Sequence, residues 1–134
     1  MPKYQTLNFI QTNVNLLKVI VSQSPIAANI NTPPCFNMYM GGVLTEEQCP
    51  CASPSYNELA FTQAVTIVGY GGAPGQVPGC SGYWIIKNSK GIMWGEFGYG
   101  RLCISDKKVD NLLGTCNIQA NPVAPDIGLI KRYA

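Results

Sequence analysis

The stretch Ala60-Phe61-Thr62-Gln63-Ala64-Val65-Thr66-Ile67-Val68-Gly69-Tyr70-Gly71-Gly72 decides how this chain reads. From Gln63 to Tyr70 it is the clearest strand in the sequence, centred on Val65, Ile67 and Val68, whose branched side chains fit a pleated surface. It runs straight into a bend of glycines. The stretch has the look of a platform for a catalytic base, yet Gln63 at its mouth carries a neutral amide. Such an amide donates and accepts hydrogen bonds but takes up no proton near neutral pH.

Outward from this strand the pattern stays short and extended. Gly71 to Gly82, with Pro74 and Pro78, is an excursion. Tyr83 to Lys87 and Tyr99 to Ile104 read as strands paired across the turn-rich residues 88–98. Upstream, Thr12 or Asn13 caps a helix running to about Gln23, with Leu16, Leu17, Ile20 and Val21 at helical spacing. Ser24-Pro25 stops that helix, and Ile26 to Ile30 follows as a short buried strand. Pro33-Pro34 breaks the chain, and Phe36 to Leu44 turns at Gly41-Gly42 into another strand. Glu46 to Asn57 is a loop, and beyond Asp110 periodicity is slight. One main helix with five or six short strands implies an α+β fold built on an antiparallel sheet or partly closed β-barrel. The expected organisation is a lead-in over residues 1–12, one domain over 13–125 and a tail over 126–134.

With 134 residues and a net charge of +2, the chain is long enough for a real core and too weakly basic for a nucleic-acid footprint. The doublets Lys107-Lys108 and Lys131-Arg132 read as solvated loop charges. No apolar run reaches the ~20 residues of a membrane span. The start has no apolar secretion-signal core, which fits an intracellular protein or a leader lying outside this chain. Six cysteines, Cys35, Cys49, Cys51, Cys80, Cys103 and Cys116, point instead to an oxidising compartment, and the residues alone leave their pairing open. The close pair Cys49 and Cys51 tempts a zinc reading. With no histidine and no second close pair, no metal and no cofactor is expected. Gly69 to Gly75 resembles a dinucleotide loop only superficially, because Pro74 and Pro78 deny it the helix that must open behind the glycines. The carboxylates form no acid–base pair.

Three blocks change the reading. Gln63 to Gly71, Tyr83 to Gly91 and Trp94 to Tyr99 occur in order and resemble the C-terminal half of papain-like cysteine peptidases. Weaker similarity extends through Leu16 to Ile30 and Tyr39 to Gly42. The resemblance implies the barrel-like right-hand domain of that fold. In the family, a thiolate attacks the peptide carbonyl beside an imidazole, and an asparagine holds the ring in place. The cysteine and an oxyanion-hole glutamine come from the left-hand domain, which this chain lacks.

By this resemblance Gln63 stands at the histidine position and Asn88 at the asparagine position, although an asparagine closing a strand also serves as a plain turn residue. Lys90 replaces a shielding tryptophan, and Trp94 matches a second aromatic of the same turn; Trp84 and Trp94 equally read as core or interface aromatics. Asn29, Phe61, Ala64 and Asn121 match positions lining the main specificity pocket. Cys49 with Cys116 falls where the family has its C-terminal disulfide. The implied function is a non-catalytic homologue acting as a binding or structural module. The alternative is the C-terminal part of a peptidase whose nucleophile lies in a separate N-terminal half. A protein partner is expected over the face that the left-hand domain meets, in a secreted, lysosomal or other oxidising setting.

Overall fold

The computed structural model describes residues 4–6, 14–50, 63–106, 114–119 and 122–125. In chain order these form β1 (Tyr4–Thr6), α1 (Val14–Val21), β2 (Ile26–Ile30), α2 (Pro34–Asn37), β3 (Val43–Leu44), β4 (Gln63–Gly71), β5 (Cys80–Lys87), β6 (Tyr99–Ser105), a 3-10 turn (Thr115–Asn117) and β7 (Pro122–Pro125). The seven strands make one sheet in the order β1-β7-β2-β4-β5-β6-β3. Its pairings are antiparallel except β3 with β6, which run parallel. The α+β expectation holds. The lead-in read at residues 1–12 contributes β1 to the sheet, and the proline-marked end contributes β7, positions where no alternation marked a strand.

Alternation sets the core side of the sheet. Ile26, Ala28 and Ile30 of β2 point inward, as do Val65 and Ile67 of β4 and Trp84 and Ile86 of β5. Leu102 and Ile104 of β6 complete the layer. Helix α1 packs against β4 and buries Leu17, Ile20 and Val21. Each large side chain withdrawn from water here contributes roughly 1.5–3 kcal/mol. Trp84 is wholly buried, and its Nε1 donates to Gln119 Oε1 at 3.2 Å, so the ring brings no orphaned polar atom into the core.

Helix α1 is shorter than the span expected from Asn13 to Gln23, because its last turn closes through Ser24 N to Ile20 O before Pro25. Pro33-Pro34, read as a break, instead opens the one-turn helix α2, where a proline at the first helical position sacrifices no intrahelical bond.

The disulfides correct one expectation. Cys49 pairs with Cys35, across a Cα separation of 5.8 Å, and not with Cys116. Helix α2 carries Cys35 next to the turn in which Cys49 N donates to Thr45 O, so the local partner is the nearer one. Cys116 is itself disulfide-bonded and buried, and its backbone N–H donates to Glu46 Oε2. A further bridge joins Cys80 to Cys103 between β5 and β6.

Candidate functional site

Strands β4 and β5 run antiparallel with Thr66 opposite Lys87. That register brings the first residue of β4, Gln63, beside the residue that follows β5, Asn88. Gln63 Nε2 donates to Asn88 Oδ1. The same oxygen accepts the Ser89 backbone N–H at 2.7 Å. Because a backbone N–H only donates, this second bond fixes which end of the Asn88 amide is oxygen, and Gln63 must therefore offer its NH₂. Asn88 is nearly fully buried, and its own backbone N–H donates to Gly98 O. Its Nδ2 is the one buried side-chain nitrogen or oxygen among the described residues with no partner. An unsatisfied buried donor costs about 1–3 kcal/mol, a typical debt of positions kept for something other than stability.

Beside Asn88 lies a shallow groove of about 370 Å³, lined by Ala27, Ala64, Val65, Thr66, Lys87, Asn88 and Ser89. Of the expected pocket residues, Ala64 lines it. Asn29 sits directly opposite Ala64 in the β2–β4 register and is half-buried. Phe61 and Asn121 lie outside the described residues. Lys90 is exposed, at the turn after Asn88. Trp94 is spent on packing. Its ring lies 5.2 Å from that of Phe36 and 4.9 Å from that of Tyr39, and its Nε1 donates to Phe36 O at 3.0 Å.

The loop after Asn88 is braced by a network that sequence reading missed. Arg101 grips Glu96 with two bonds, Nε to Oε1 at 2.9 Å and Nη2 to Oε2 at 2.6 Å. Glu96 Oε2 also accepts the Gly42 N–H, and the Tyr39 hydroxyl donates to Gly42 O while accepting the Arg101 N–H. The Arg101 bonds hold the Glu96 carboxyl below its ordinary range, and the same bonds push the Arg101 guanidinium up. Burial raises the Tyr39 phenol. Glu96 and Arg101 meet across their own turn, and the parallel β3–β6 pairing brings Tyr39 and Gly42 to them, a long-range step that no sequence spacing signals. The groove row Ala27, Thr66 and Lys87 was likewise unmarked, although strand alternation predicts it once the pairing is known. Among the described residues, no group of histidine, cysteine, aspartate or glutamate is disposed to hold a metal.

A sheet that sets a glutamine–asparagine pair at the meeting of two strands, followed by a glycine-braced Trp turn, can be compared with known proteins directly. The model of the papain family cysteine protease domain matches residues 2–126. The chain belongs to the papain family of cysteine proteases. It is 36% identical over 107 residues to fruit bromelain from Ananas comosus, covering 80% of this chain and 26% of that protein. It is 31% identical over 112 residues to a cathepsin L-like proteinase from Fasciola hepatica, covering 84% of this chain and 30% of that one. The solved structure of the bromelain protease from Ananas comosus, bound to an inhibitor, superposes with a TM-score of 0.69 at 29% identity, over 91% of this chain and 48% of that one. This chain therefore spans about a quarter to a third of the curated relatives' length and about half of the solved bromelain chain.

Proposed function

We propose that this papain-family chain corresponds to the right-hand half of the fold, does not hydrolyse peptides, and acts as a binding or structural module in a larger assembly. The observation that carries the reading is the absence of histidine from all 134 residues, and the resemblance puts Gln63 at the family's histidine position. Gln63 donates to Asn88 as an imidazole N–H would, which keeps the packing of the inherited site. It cannot stabilise a thiolate by charge or return a proton to a leaving amine. General acid–base assistance alone typically contributes about 10²–10⁴-fold, so losing it removes useful turnover. The described residues offer no substitute nucleophile, since every cysteine among them is in a disulfide.

The test is to incubate the chain, alone and in the assembly purified around it, with a thiol-directed epoxide and with fluorogenic peptides. The reading expects no stoichiometric labelling of this chain and no turnover that depends on it. Ultracentrifugation tests the partner expectation, because a half-fold that stays monomeric at all concentrations and recruits nothing contradicts a docking role.

A second reading rests on the length comparison. A chain covering 26% of fruit bromelain fits the C-terminal part of a peptidase whose thiol lies on another polypeptide. That reading requires a base from outside this chain. Labelling of one cysteine in the assembly together with peptide turnover would establish it.

A further inference from the structure

Eight large apolar side chains are exposed among the described residues, and five of them sit on two adjoining loops. Met38 (76% exposed) and Met40 (87%) precede β3, while Ile92 (72%), Met93 (91%) and Phe97 (82%) lie between β5 and β6. The loops are locked together. Gly95 N donates to Tyr39 O at 3.0 Å, Gly42 N donates to Glu96 Oε2, and Trp94 stacks on Tyr39. A rigid platform thus holds five greasy side chains out in water.

Phe97 adds a second, independent observation. Its φ is 58°, in the left-handed region that disfavours a bulky residue, and the turn around it is pinned by Gly98 N to Trp94 O at 2.8 Å. The strain is not repaid within the chain, because the ring makes almost no contact there.

The shape and charge identify what these side chains meet. Exposures of this size leave no walls beside them, so the tip is convex and offers no groove for a helix. The loops are bordered by positive charge: Lys90 lies two residues before Ile92, Lys87 stands opposite Tyr99 in the sheet, both are exposed, and the Glu96 carboxylate is paired with Arg101. An apolar convex tip on a cationic base suits the boundary of an anionic bilayer, where apolar side chains enter the acyl region and lysines face the headgroups.

We propose that the Met38–Met40 and Ile92–Phe97 loops form a peripheral membrane-docking wedge for anionic lipid surfaces. Its cationic side, Lys87 and Lys90, borders the Asn88 groove.

The test is cosedimentation of the chain with phosphatidylcholine vesicles, with and without phosphatidylserine. Binding is expected to the serine-containing vesicles and to weaken with salt. Phe97→Asn is the informative variant, because asparagine tolerates the left-handed backbone and the fold should be kept or improved. It should lower the partition coefficient about tenfold, the share of one buried aromatic, and Lys90→Glu should lower it further. No vesicle binding, or binding that Phe97→Asn leaves unchanged, overturns the proposal. So does concentration-dependent self-association that Phe97→Asn abolishes, which would make a second copy the occupant. Protection of Met93 from oxidation by a protein partner in lipid-free assembly would equally overturn it.

Discussion

At the scale of single residues, the Gln63–Asn88 pair is organised around one oxygen. Asn88 Oδ1 serves two donors, Gln63 Nε2 and Ser89 N, whereas Gln63 is needed by one acceptor that already has another partner. Asn88→Ala should therefore cost more than Gln63→Ala. The expected losses are about 1–2 kcal/mol for Asn88→Ala, from the stranded Ser89 N–H and the buried void, and no more than about 1 kcal/mol for Gln63→Ala. Urea unfolding of both variants measures this, and equal losses would mean that the pair is not organised around the Asn88 oxygen. Gln63 stood out in the sequence at the mouth of a strongly alternating strand, whereas Asn88 was singled out only by the family resemblance. Their meeting is a matter of register, which follows from pairing Thr66 with Lys87. The Ser89 N–H that orients the amide, and the partnerless Nδ2, had no signature in residue identity, since backbone geometry creates both.

At the scale of elements, the turn between β5 and β6 carries the most exacting geometry. Gly95 has φ 60°, and a Cβ there would lie 2.5 Å from Tyr99 O and 2.7 Å from the Tyr39 ring. Relief would need the backbone itself to move. Gly95→Ala should lower stability by about 2 kcal/mol or more, in a circular-dichroism melt, and should loosen Trp94 enough to change its fluorescence. A variant with wild-type stability and emission would show that the turn is soft. The Glu96–Arg101 pair in the same turn sets an acid limit. Because the folded form holds the Glu96 carboxyl below its ordinary value of 4.5, its stabilisation is complete above that value and is lost as pH falls through the lower folded one. Glu96→Gln should flatten the acid limb of stability measured from pH 7 to pH 3. The change should be within about 1 kcal/mol, since solvent screens a pair that is one-third exposed. Strands β4, β5 and β6 were legible because their alternating β-branched and aromatic residues bury one face. The glycine turn at Gly41-Gly42 announced β3, whereas β1 and β7 were not legible, because three or four residues each carry too little alternation to stand out and they form only where a neighbour offers an edge.

At the scale of the whole molecule, the bridges hold together an α+β unit that spans 26% of fruit bromelain and 30% of the cathepsin L-like proteinase. Cys35–Cys49 ties α2 to the loop beyond β3, over a sequence separation of 14, and Cys80–Cys103 clamps β5 to β6 over 23. By closing such loops in the unfolded chain, each bridge contributes about 2–4 kcal/mol. Their resistance to reduction should differ, because a thiolate must reach a sulfur to attack it. Cys80 and Cys103 are both buried, whereas Cys35 lies on the exposed side of α2 against a buried Cys49. Under limiting reductant and native conditions, Cys35–Cys49 should open first. Alkylation followed by mass spectrometry should label Cys35 and Cys49 several-fold ahead of Cys80 and Cys103, with the β5–β6 bridge persisting until the sheet unfolds. Labelling in the reverse order would mean that β5 and β6 part at Cys80 before α2 lets go, and that this end of the sheet is the weaker half of the fold.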